Sequence, residues 1–248
     1  MKDSIPKIIH YCWFGSKNKP KYIIKYINEW KAKLPEYQII EWNENNFDIN
    51  YCKYSKEAYD EKKYAFVSDV ARLYALYNYG GIYLDTDVEI VRSFDNIIKN
   101  KEIIFGFEEG ERIATSFIAS TPHNKVIYEF LNVYHNLPFI LETDKYNLIP
   151  NVEYLTSILK EKGLKENGEF QLLENYIYIY PKEYFSPYDY INCVDEVTSN
   201  TYCIHHFAVS WLNKSTIIKK NLKTFFVRIF GKEKLIFLRK VKNKVKER

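Results

Sequence analysis

Asp85 and Asp87 stand one residue apart at the end of an apolar run, Ile82-Tyr83-Leu84, entered through Gly80-Gly81. Read as one strand, residues 82–89 alternate faces, so both carboxylates point the same way. Two hard oxygen ligands at the end of a buried strand make a seat for a divalent cation. A cation held there can stabilise a leaving diphosphate. Just upstream, Asp69 and Arg72 lie three residues apart, on one face of a helical segment. Alone, such a pair is an ordinary helix ion pair. Here its neighbours Val67, Val70, Ala71 and Leu73 are too apolar for a solvated face. Far downstream, His205 and His206 offer imidazole, a ligand that suits Mn²⁺ better than Ca²⁺. Near the start, Trp13 offers an indole. It is either a core aromatic or a platform on which a base could stack, worth about 1–3 kcal/mol.

These residues need elements to hold them. Residues 5–14 read as a buried first strand stopped by Gly15-Ser16. Residues 20–34 carry Ile23, Ile24, Ile27, Trp30 and Leu34 at helical spacing, and residues 37–42 form a second strand. This β-α-β opening implies parallel neighbours and an α/β sheet. Residues 55–79 read as mostly helical, with Gly80 as a left-handed cap. Strands are expected at 103–107, 117–120, 171–173, 176–180 and 202–206, and helices near 126–131 and 152–161. Glu108 and Glu109 fall in a loop as solvated acids or as groups near a ligand.

The chain has 248 residues, 46% apolar and 27% charged, an ordinary balance that supports one sizeable core. Its 23 Tyr and 16 Phe reflect either base composition or a stacking surface. Cys12, Cys52, Cys193 and Cys203 have no metal-like or redox-like spacing, so free thiols in a reducing cytoplasm are expected. No secretory signal opens the sequence and no apolar run reaches membrane-spanning length. The net charge of +4 is uneven: residues 214–248 hold thirteen Lys and Arg against two acids, leaving an acidic body. Aromatic and aliphatic residues interleave with those cations at helical spacing. Such a segment lies on an anionic membrane surface or packs on the body. No recognised fold supports nucleic-acid binding. The expected organisation is a catalytic domain over 1–212 and a basic amphipathic helical tail over 213–248.

Taken together, Ala65-Phe66-Val67-Ser68-Asp69-Val70-Ala71-Arg72 and Leu76-Tyr77-Asn78-Tyr79-Gly80-Gly81-Ile82-Tyr83-Leu84-Asp85-Thr86-Asp87-Val88 resemble the sugar-binding region with the Asp-x-Asp motif of glycosyltransferase family 32. That family includes yeast initiating mannosyltransferases, bacterial capsule enzymes and, more distantly, the glucosyltransferase domains of large clostridial toxins. The opening residues 5–15 look like its first nucleotide-binding strand. Ile204-His205-His206-Phe207-Ala208-Val209-Ser210-Trp211 looks like its closing segment.

The resemblance implies a GT-A fold: α/β, with a central mixed, mostly parallel sheet flanked by helices. It implies a retaining transfer from a UDP- or GDP-sugar, with Mn²⁺ or Mg²⁺, to a saccharide or lipid-linked saccharide. Asp87 would bind the metal directly, and Asp85 would reach the ribose, the sugar or the metal. His205, or else His206, would complete the metal shell. Asp69 and Arg72 would hold the donor sugar. Trp13 would stack on the base, framed by Tyr11 and Phe14. Ser210 and Trp211 would contact the diphosphate. The expected setting is capsular or surface polysaccharide synthesis at the inner face of a bacterial plasma membrane. Three alternatives compete: a toxin-like protein glycosyltransferase, a non-catalytic sugar-nucleotide-binding adaptor, and a phosphatase of the haloacid dehalogenase type. Against the last, Glu89 stands where a Thr or Val is normal.

Overall fold

The structure, a computed structural model, describes residues 4–207 apart from 16, 110, 190, 191 and 193, together with residue 234. The elements run β1 (Ile8–Cys12), α1 (Lys21–Lys33), β2 (Gln38–Trp42), α2 (Lys53–Asp60), α3 (Tyr64–Tyr79), β3 (Gly81–Leu84), β4 (Val88–Ile90) and α4 (Asp95–Ile98). They continue as β5 (Ile103–Gly106), β6 (Phe117–Ser120), α5 (Lys125–His135), α6 (Asn151–Glu161), β7 (Gln171–Leu173), β8 (Ile177–Tyr180), β9 (Tyr188–Asp189), β10 (Val194–Asp195) and β11 (Cys203–His205). Among the described residues no helix is long and apolar enough to cross a membrane. The expected tail, its boundary at 212, and Ser210 and Trp211 lie outside the described residues, Lys234 apart.

Seven strands form the main sheet in the order β2-β1-β3-β6-β5-β8-β7. It is mixed, and mostly parallel in strand direction: β2, β1, β3, β5 and β8 run one way, β6 and β7 the other. Successive strand residues feed opposite faces, as a pleat requires. Tyr83, Ile103 and Phe105 join one core beneath α2, α3, α5 and α6. Ile82, Leu84 and Ile104 join the other, with Ile23, Ile27 and Trp30 of α1. Helix α3 buries Val67, Asp69, Val70, Ala71, Arg72, Leu73, Ala75 and Leu76, so it is a core helix. That is why two charged residues on it are withdrawn from water.

Strand β1 has parallel neighbours on both sides, reached by connections that pack on opposite faces of the sheet. That is a topological switch point, and a crevice opens at the carboxyl ends of such strands. Trp13 follows β1 there and Asp85 follows β3.

Two local expectations are corrected, and the mostly helical reading of residues 55–79 is borne out and sharpened. Residues 82–89 are not one strand: β3 stops at Leu84 and a turn follows, closed by Val88 N–H to the Asp85 carbonyl at 3.1 Å. Asp-Thr-Asp is turn chemistry, and charged carboxylates cannot prolong a strand buried on both faces. Residues 55–79 form two helices, broken where the charged run Asp60-Glu61-Lys62-Lys63 has nothing to bury and Lys62 takes φ +57°. Gly80 caps α3 with its N–H on Leu76 O, but at φ 62°, ψ −162°, outside the left-handed helical region and open in practice only to glycine.

Candidate active site

The turn between β3 and β4 brings its two acids to a histidine from the far end of the chain. His205 Nε2 lies 3.4 Å from Asp87 Oδ1 and 4.0 Å from Asp85 Oδ2. One ligand atom from each of the three residues fits within a 4.8 Å cluster. The strand pairing of β11 with β4, Val88 opposite His205, places the imidazole there. Burial lowers the His205 pKa, but Asp87, Asp85 and Glu108 outweigh it and leave it raised. Its other nitrogen, Nδ1, is buried with no hydrogen-bond partner among the described residues. His206 faces elsewhere, with Nε2 2.9 Å from Glu89 Oε2 and its ring stacked on Tyr26.

Beside this cluster, inside α3, the sequence pair closes as an ion pair: Arg72 Nη2–H donates to Asp69 Oδ1 at 2.9 Å. Arg72 also donates to the carbonyls of Thr115, at 2.8 Å, and Ser68, at 3.3 Å. Its Nη1 lies 3.5 Å from Asp85 Oδ1, and its guanidinium sits 4.5 Å from the centre of the Tyr83 ring. Tyr83 in turn donates its hydroxyl to Asp85 Oδ1 at 3.0 Å. Arg72 therefore ties Asp69 to Asp85. Asn151 Nδ2 donates to the same Asp69 Oδ1 at 2.5 Å, and Thr115 Oγ1 donates to Asn151 Oδ1 at 2.9 Å. Asp69 Oδ1 is thus doubly occupied, and Oδ2 is its oxygen left for a ligand. Burial, with Asp85 adding and Arg72 and Asn151 opposing, pushes the Asp69 carboxyl up to about 7.

At the end of β1, Trp13 is half-buried. Its N–H donates to Lys17 O at 2.9 Å, and Lys19 stands 5.7 Å from its ring centre. Tyr11 and Phe14 are buried. Tyr11 donates to Glu41 at 2.5 Å and Phe14 packs edge-on against Phe47, so chiefly their backbone faces the crevice.

Sequence reasoning missed three contributors, Asn151, Thr115 and His10, and left Glu108 open between a solvated acid and a group near a ligand. Asn151 and Thr115 belong to no motif, and Asn151 lies 82 residues from the carboxylate it touches. Glu108 is only part-exposed. Burial, opposed by His205 and reinforced by Asp85, lifts it to about 7. Glu109, by contrast, pairs with Lys182 at 2.9 Å. His10 is fully buried: it accepts from Trp42 Nε1 at 3.0 Å and faces the Gly80 carbonyl at 2.7 Å, so Nε2 carries the proton. Burial pushes its pKa down to about 4. It anchors the Gly80-Gly81 entry to β3. Its place in a continuous apolar strand was the available signal.

Residues 20–104 match the family described as glycosyltransferase sugar-binding region containing DXD motif. The match includes Asp69, Arg72, Asp85 and Asp87. Two curated relatives from Schizosaccharomyces pombe are similar. Inositol phosphoceramide mannosyltransferase 1 is 25% identical over 146 residues, 54% of this chain and 43% of that protein. Inositol phosphoceramide mannosyltransferase 3 is 27% identical over 146 residues, 51% of this chain and 40% of that protein. The alignments thus span less than half of each relative's length. Among solved structures, the PaToxG glycosyltransferase superposes with a TM-score of 0.53 at 21% identity, over 65% of this chain and 71% of that one. That likeness shows the fold. Residues 20–104 are thus similar to the sugar-binding region with a DXD motif of glycosyltransferases, and the chain has a GT-A-type fold.

Proposed function

We propose that the protein is a metal-dependent, retaining glycosyltransferase. It moves a sugar from a UDP- or GDP-sugar to a saccharide or lipid-linked saccharide acceptor in the synthesis of a capsular or related surface polysaccharide. The observation that carries this reading is the convergence of Asp85, Asp87 and His205 beside the buried Asp69–Arg72 pair. The names of the two yeast relatives, which point to mannosyl transfer onto an inositol phosphoceramide, favour an amphiphilic acceptor.

The residues fit a divalent cation. Two carboxylates and an imidazole face one another at close range, and the Nε2 edge of His205 is turned to the acids while Nδ1 has no partner among the described residues. Oxygen ligands with one nitrogen suit Mn²⁺ or Mg²⁺. Asp87 and His205 would be direct ligands, with Asp85 direct or through water. His206, held by Glu89, is the weaker choice. A bound cation supplies charge stabilisation for the departing diphosphate.

The chain's own side chains do the rest. Asp69 accepts a donor-sugar hydroxyl on Oδ2, and Arg72 fixes Asp69 and Asp85 in place through its fork. Trp13 carries the nucleobase, with the backbone of Tyr11 and Phe14 at its rim. Ser210 and Trp211, which lie outside the described residues, would contact the diphosphate. In a front-face transfer the leaving phosphate oxygen takes the acceptor's proton, and no side chain is assigned as base. Residues 214–248 would hold the enzyme peripherally on an anionic membrane, at the cytoplasmic face.

A thermal-shift screen of UDP- and GDP-sugars with and without Mn²⁺ tests this. A matching donor at ~100 times its Kd stabilises the fold by about 2.7 kcal/mol, and only with the metal. Asp87→Ala should lose that shift and the turnover while remaining folded. Undiminished turnover would refute the site.

A further inference from the structure

The three acidic and imidazole groups of the cluster arrive from two distant pieces of chain. Asp85 and Asp87 sit between β3 and β4, whereas His205 sits on β11. The β4–β11 ribbon that joins them lies outside the main sheet and has three residue pairs: Val88 with His205, Glu89 with Ile204, and Ile90 with Cys203. Consecutive strand side chains face opposite sides. Of two adjacent histidines, therefore, only one can meet the acids. A one-residue slip in so short a ribbon would exchange them.

What opposes the slip is on the outer side. Glu89 and Ile204 are opposite one another, which puts Glu89 diagonal to His206 on the same face. Glu89 Oε2 lies 2.9 Å from His206 Nε2. Tyr26 of α1 stacks on that imidazole, centroids 5.4 Å apart and planes 10° from parallel. The His206 N–H donates to the Asp87 carbonyl at 3.2 Å, so the same residue fastens the backbone of a cluster acid.

We propose that Glu89 is a positioning residue: by holding His206 on the outer side it fixes the β4–β11 register and selects His205 as the histidine of the cation site. This rests on the proposed reading of the cluster as a cation site. Glu89 does not touch the cluster's ligand atoms; it acts through His206.

The test is Mn²⁺ affinity of the full chain, measured by electron paramagnetic resonance of free Mn²⁺ without donor. It is run on the wild type, Glu89→Ala and Glu89→Gln, each with and without His205→Ala. Glu89 is part-exposed, so all should fold, with circular dichroism as the check. Glu89→Ala should weaken Mn²⁺ binding about tenfold, as loss of an outer partner commonly does. Glu89→Gln, which keeps a hydrogen bond to His206 but drops the charge, should stay within about twofold. The loss caused by His205→Ala should shrink in the Glu89→Ala background, because a released His206 can take its place. Wild-type affinity in Glu89→Ala would overturn the inference. So would a Glu89→Gln loss equal to that of Glu89→Ala, or an unchanged His205→Ala loss. A wild type that binds no Mn²⁺ would instead overturn the cation site itself, and the inference with it.

Discussion

Replacing Asp69 by Asn should make the folded protein more stable while disabling the site. Burial is the main force on this carboxyl and lifts it from 3.8 to about 7, although Arg72 and Asn151 pull the other way. Between those two values the folded chain keeps a proton that the unfolded chain releases. Stability therefore falls as pH rises through that window, by about 1.4 kcal/mol for each unit. The full window amounts to at most about 4 kcal/mol, present as a penalty above pH 7 and absent below pH 4. Asparagine carries no such penalty, and its Oδ1 can still accept from Arg72 and Asn151. At pH 8 the variant should exceed the wild type by up to about 4 kcal/mol, roughly 8–16 °C in Tm for a chain of this size.

The assay is urea unfolding from pH 4 to 8 without divalent cations, run on both proteins so that every other titrating group cancels. Donor hydrolysis with Mn²⁺ is measured alongside and should fall at least about 100-fold, since a charged acceptor aimed at a sugar hydroxyl is lost. A variant less stable than wild type at pH 8, or a difference that does not change with pH, would refute the reasoning. It would mean that the carboxylate holds the fold together instead of being held by it.

Two further outcomes are expected. His10 titrates in the opposite sense: its folded pKa near 4 lies below the ordinary 6.5. It contributes up to about 3 kcal/mol above that window, lost as pH falls through it. The difference in urea-unfolding stability between the wild type and His10→Gln should therefore climb from pH 4 to 6.5, since the other titrating groups cancel, and a flat difference would contradict the buried neutral imidazole. Gly81→Ala should cost at least about 3 kcal/mol in chemical denaturation, because its Cβ would lie 2.6 Å from the Ile8 carbonyl oxygen at φ +99°. A mild effect would show that the β1–β3 approach can relax.

What could be read from the sequence was whatever local geometry decides. Three-residue spacing put Asp69 and Arg72 together, and the structure joins them at 2.9 Å. The β-α-β opening gave β1 its parallel neighbours. Strand alternation, however, was the wrong reason for a convergence that does occur: Asp85 and Asp87 meet His205 through a turn. Asn151 and Thr115 were invisible because their roles depend on where α6 and the start of β6 pack, and nothing in their neighbours specifies that. The choice between His205 and His206 was equally hidden. It is set by the register of a ribbon whose other strand lies more than a hundred residues away.

Local preference is overruled at both ends of β3: by two glycines where it begins, and by the groups beside the acids where it stops. Gly80 takes a backbone conformation that other residues avoid, and Gly81 lets β3 close on Ile8 and His10. Asp69 is kept in a region that favours its protonated form, and His205 Nδ1 has no partner among the described residues. In the cores pattern and fold agree: Ile, Val and Phe alternate between two cores, and Asn124 caps α5 through the Val126 N–H. Local choices normally support the global fold, so the exceptions beside the acids call for a cause beyond stability. The glycines at the amino end of β3 serve its close approach to β1. At its carboxyl end Asp69, tied to Asp85 through Arg72, and His205, turned to Asp85 and Asp87, gather charges in little water, and that indicates a surface shaped to receive something that the chain alone does not supply.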